Sequence, residues 1–104
     1  MIKNFYEVDI DIDLKSFIPE YIKNKKNMLE QIESLLTVKN FNKIREIAHN
    51  LKGTGASYGF DYITEIGKNI SEHSKNCETE EIISDINKLK DYLKKLKINY
   101  IQID

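Results

Sequence analysis

Four runs of apolar residues recur at three- and four-residue steps along a chain with a single proline, and that pattern restricts the possible folds more than any other feature. Leu14, Phe17, Ile18, Tyr21, Ile22, Met28, Leu29, Ile32, Leu35 and Leu36 form the first stripe, which at ~1.5 Å per residue makes an amphipathic helix over about 30 Å long. Pro19 falls near its start, where a missing N–H is tolerated. Ile44, Ile47, Ala48, Leu51 and Tyr58, with Gly55 in the same stripe, form a second, N-capped by Asn40, running to about Ser57 and stopped at Gly59. Asp61 is the expected cap of a third, which turns Ile63, Ile66, Gly67 and Ile70 inward and ends near Asn76. Thr79 is the expected cap of a fourth, with Ile82, Ile83, Ile86, Leu89, Leu93 and Leu96 on one face and lysines 88, 90, 94, 95 and 97 elsewhere. Short connections let the four stripes face one another, so the sequence predicts an all-α fold, an antiparallel up-down four-helix bundle with an extended N-terminal segment.

The chain reads as one domain: residues 1–13 extended, 14–97 the bundle, 98–104 a helix end or tail. Val8 to Asp13 alternates strictly enough to pass as a strand, and Ile98 to Ile103 partly so. A lone two-stranded ribbon is marginal, so the first is expected to lie over the bundle end unpaired and the second to fray from helix four. The aspartates of the first read as a solvated edge.

With 104 residues the chain can bury one modest core and cannot also hold a nucleotide-binding kinase module. Charged residues at 32% and hydrophobic ones at 40% suit a globular helical protein. A formal net charge of -1 gives no bulk attraction to nucleic acid or anionic lipid. Met1 to Asp13 holds no uninterrupted apolar stretch of the secretory kind, and no run approaches membrane-spanning length, so the cytoplasm is the expected location. The single cysteine, Cys77, excludes an internal disulfide. His73 and Cys77 stand four apart but lack further ligands at convincing spacing, so no metal site is expected. The tyrosines and phenylalanines read as core and rim, since no basic patch interleaves with them.

His49 points away from the stripe of its own helix. Its neighbours one turn off are Arg45 and Glu46 before it and Lys52 and Gly53 after it, with Ala56 a further turn on. Glycine inside a helix costs about 1 kcal/mol relative to alanine, and this helix carries both Gly53 and Gly55. Gly55 lies on the inward stripe and permits close packing. Gly53 lies on the histidine's face, so room for an approaching partner is its expected purpose.

Ala48-His49-Asn50-Leu51-Lys52-Gly53 followed by Gly59 resembles the signature of histidine-containing phosphotransfer (HPt) domains, roughly His-x-Leu-Lys-Gly, five residues and Gly. Asp13-Leu14 with the run from Phe17 to Leu36 looks like the family's first long helix, Asn40-Phe41 like its entry into the histidine helix, and Asp61 to Ser74 like its third helix. The resemblance implies a phosphocarrier that is not itself an enzyme. His49 would accept a phosphoryl group from the phospho-aspartate of a response-regulator receiver domain and pass it to another receiver, and a hybrid sensor histidine kinase is a further possible partner. Lys52 would stabilise the phosphoryl group, and Arg45, Gly53 and Ala56 would meet the partner. Gly55 and Gly59 are structural. No cofactor of its own is expected, the Mg2+ belonging to the receiver, and the chain is expected to be a monomer. Where many family members place a Glu or Gln on the third helix to orient the imidazole, this sequence has Ser71, whose shorter hydroxyl reaches only at closer approach or through water. Glu72 beside it points about 100° away. Two other readings of the residues stay open: a docking module that regulates a receiver or kinase without being phosphorylated, and a metal-binding bundle using His49, His73 and Cys77.

Overall fold

The computed structural model describes residues 5–103; the parts of the expected terminal segments that fall on residues 1–4 and 104 lie outside the described residues. Strand β1 (Tyr6–Asp11) leads through a short 3-10 turn (Ile12–Phe17) into helix α1 (Ile18–Thr37), followed by α2 (Phe41–Gly55), a second 3-10 turn (Ala56–Tyr58), α3 (Asp61–Lys75), α4 (Thr79–Lys94) and strand β2 (Leu96–Ile101). Sequential helices pack as antiparallel neighbours and α4 closes onto α1, which makes the expected four-helix bundle.

The core is the intersection of the four stripes. Leu29 and Ile32 of α1, Ile44 and Leu51 of α2, Ile63 and Ile70 of α3, and Ile82 and Leu89 of α4 are all buried. Each such side chain contributes about 1.5–3 kcal/mol on leaving water. Lys25 fills the gap in the α1 stripe between Ile22 and Met28. Its stem is buried and its ammonium lies 4.7 Å from the centre of the Tyr21 ring, an electrostatic contact with the ring face. Burial holds its pKa below the ordinary lysine value.

The ends differ from the sequence expectation. Residues 6–11 and 96–101 pair as a parallel ribbon, from Tyr6 opposite Leu96 to Asp11 opposite Ile101, so β1 is not unpaired and β2 is not a frayed helix end. α4 stops at Lys94, and Leu96 belongs to the strand. The ribbon is not alone: its inner face packs on the bundle, with Ile10 only 1% exposed and the Tyr6 ring stacked on Tyr62 and tilted against Tyr92. That burial supplies what an isolated pair of strands lacks. On the outer face Asn99 donates a hydrogen bond to Asp9 and Lys97 lies 3.8 Å from Glu7.

Smaller corrections concern caps and faces. Phe60 and Glu78, not Asp61 and Thr79, hold the N-cap positions of α3 and α4, because their backbones are the last non-helical ones. Phe17 ends the 3-10 turn outside the bundle and is 58% exposed. Ile83 is 40% exposed, because it lies at the open junction of α4 with α1. Tyr58 is half-buried and packs its ring against Tyr21.

Candidate functional site

Asn40 starts α2 as expected, its side chain accepting a hydrogen bond from the Lys43 N–H at 3.3 Å. Ile44, Ala48, Leu51 and Gly55 then occupy the inward face, and the remaining periodicity puts His49 outside. His49 is exposed and stands in an open groove between α2 and α3, lined also by Asn42, Arg45, Glu46, Asn50, Lys52 and Ser71. Arg45, Lys52 and Ser71, three of the positions singled out from the sequence, are therefore gathered around the imidazole. Gly53, further along α2, and Ala56, in the 3-10 turn that follows it, are exposed and do not line the groove.

The glycines divide as the helix geometry demands. A Cβ at Gly55 would collide with the Thr64 hydroxyl and lie 2.8 Å from the Phe60 carbonyl, so this residue lets α3 close on α2. A Cβ at Gly53 would meet nothing within 4 Å. Gly59 has φ +91°, a left-handed backbone that stops the second 3-10 turn and returns the chain toward α3.

Two α3 residues fix the groove: Gly67, which the sequence placed only on the inward stripe of its helix, and Thr64, which it did not single out. A Cβ at Gly67 would lie 2.7 Å from the Lys52 backbone nitrogen, and the Thr64 hydroxyl donates to the Lys52 carbonyl at 3.2 Å. Together they clamp the backbone of Lys52 while its side chain stays exposed. Small residues one turn apart on the inward face of α3 were the available signal. Asn42 was also missed, although it lies two turns before His49 on the same face.

The second histidine is not an ordinary surface one. His73 Nδ1 lies 2.6 Å from Asp85 Oδ2, and Asp85 is 2% exposed. Burial raises the Asp85 carboxyl above the ordinary carboxylate range, and the His73 contact opposes that rise. The signal was a carboxylate on the apolar stripe of α4, one turn after Ile82 and one before Leu89, where only a paired charge is tolerated. Cys77 lies past the end of α3 with φ +56° and is exposed. Among the described residues no three His, Cys, Asp or Glu side chains are grouped to hold a metal ion, so the metal-binding reading finds no ligand set there. Among the same residues no helix is long and apolar enough to cross a membrane.

In comparison with known families, the family model described as Hpt domain matches residues 17–98, most of the chain, and its span contains the groove and all four helices. Neither the curated proteins nor the solved structures contain a match.

Proposed function

The chain belongs to the Hpt domain family, whose members carry phosphoryl groups on histidine in phosphorelays and meet receiver domains and kinases without being kinases themselves, and from that premise we propose that His49 is the phosphoacceptor of this one. The observation that carries the reading is an exposed imidazole at the family's motif position, in a groove with one cation on each side of it along α2. When a receiver presents its phospho-aspartate, the lone pair on Nε2 of neutral His49 attacks phosphorus as the bond from phosphorus to the aspartyl oxygen breaks. The aspartate leaves as a carboxylate, and the imidazole retains the proton on Nδ1. The reverse step loads the next receiver.

Transfer of this kind is mainly positioning and charge stabilisation. Lys52, one turn beyond His49, supplies a positive charge to the phosphoryl oxygens. Arg45 borders the approach on the other side, and Gly53 and Ala56 leave the helix surface low where the partner lies. Ser71 is the α3 group that orients the imidazole, directly or through one water. Mg2+ enters with the receiver, where acidic side chains hold it.

Incubating the protein with a phosphorylated receiver domain separates this reading from a docking module. Label moving to the chain supports transfer, whereas stable binding with all label left on the receiver refutes it.

A further inference from the structure

The packed helix pairs are α1–α2, α2–α3, α3–α4 and α4–α1, so the α1–α4 junction is on the opposite side of the bundle from the His49 groove. An open trough runs along that junction. At one end Leu36, Ile83 and Ile86 make an apolar floor between Thr37 and Thr79. At the other, Leu29 and Leu93 lie beneath Lys26, Lys90 and Lys94, with Glu30 and Glu33 on the inner side. Glu33 borders both halves and pairs with Lys90 at 2.7 Å.

Charge is polarised along this face in a way that one helix alone does not explain. Helix α4 begins with Glu78 at its N-cap and Glu80 and Glu81 in its first turn, and it carries Lys88, Lys90 and Lys94 in its second half, as its macrodipole favours. The acid in that second half, Asp91, is turned to the ribbon, where it accepts a hydrogen bond from the Tyr6 hydroxyl. Beyond Glu20 in its first turn, helix α1 has the reverse order. Lys23 and Lys26 lie in its first half, Glu30 and Glu33 in its second, and its last turn has no basic residue. That order opposes the macrodipole, and Lys26 before Glu30 is the weaker orientation of such a pair. Because the helices are antiparallel, both set their acids toward the Ile83 end and their lysines toward the Leu93 end, although Glu30 itself borders the Leu93 half. Lys26, Lys94 and Glu80 are exposed, and none forms an intramolecular ion pair among the described residues.

A face that is acidic at one end, basic at the other and apolar along its floor is complementary to itself after a half-turn, which is what a two-fold interface requires. The spacing along α4 provides the axis. Glu80, Asn87 and Lys94 succeed one another at two-turn intervals and so lie along one side of the helix, with Asn87 midway and bordering the trough. Against the monomer expected from the resemblance, we infer that the trough is a homodimer interface. Two copies meet with their α4 helices antiparallel and Asn87 at the axis, so that Glu80 of each faces Lys94 of the other and Ile83 of each lies against the methylene stem of the other's Lys90. Both His49 grooves then point away from the interface.

Sedimentation velocity on the full chain over a range of concentrations, at low and high salt, tests this. The expected result is a monomer–dimer equilibrium that weakens with salt. Lys94→Glu and Glu80→Lys alone should each weaken it about tenfold, and the two together should restore it. Ile83→Asp should give a monomer with unchanged helical circular dichroism. A monomer at every concentration, or a dimer indifferent to these substitutions, overturns the interface. Neither outcome bears on whether His49 is phosphorylated.

Discussion

Gly67 of α3 lies so close to Lys52 of α2 that an added methyl group would sit 2.7 Å from the lysine's backbone nitrogen, while the lysine's own side chain remains in solvent. Backbone placement and side-chain chemistry are therefore separate at this position. Lys52→Ala should leave the thermal midpoint almost unchanged, since an exposed truncation touches no packing. It should slow phosphoryl transfer by up to about 100-fold, the lower bound for one preorganised contact to a developing charge, because solvent screens this exposed lysine. Paired calorimetry and transfer kinetics check both halves, and an unchanged rate would reduce the lysine to a solvating charge.

Gly53 separates access from folding. A side chain at this position would enter open space, so Gly53→Gln replaces a poor helix former by a better one and should hold stability or raise it by up to about 1 kcal/mol. Transfer from a receiver should nevertheless fall, because the new side chain covers the surface next to His49. Denaturant titration and transfer assays on the same preparation give the two readings. Retained transfer would mean that the partner approaches from the Arg45 side.

The helical half of the architecture was legible because a period of three to four residues is local information, and each stripe carried its own. The ribbon was not. Val8 to Asp13 displayed the alternation of a strand, but its partner lies at the far end of the sequence, and the pair is stabilised by burial of Ile10 and by packing of Tyr6, Val8 and Ile98 on the bundle. Likewise His49 stood out through its face on one helix, whereas Thr64 and Gly67 matter through a contact between two helices that no single stripe encodes. Ile83 shows the converse error: an apolar residue in register with its stripe can still face solvent where two helices leave a trough.

The His73–Asp85 pair gives the bundle a defined pH signature. Burial raises the Asp85 carboxyl above its ordinary value. A group whose folded pKa is raised contributes stability that is complete below the unfolded pKa and is lost as pH rises through the folded one. Asp85→Asn removes that titration while keeping an oxygen to accept the His73 N–H. Relative to the parent, the variant should therefore gain stability as pH increases through the carboxylate range, measured as unfolding free energy in urea at successive pH values. A difference that stays constant across that range would show that Asp85 titrates as freely in the folded chain as in the unfolded one.

The central claim is that one imidazole carries the phosphoryl group. Protein phosphorylated by a receiver domain should hold an acid-labile, alkali-stable label, and mapping that label in the parent and in His49→Gln is the most direct measurement. The label should be present in the parent and absent from His49→Gln, whose fold the exposed position leaves intact. Label that persists in the variant, or that maps to His73, would contradict the assignment.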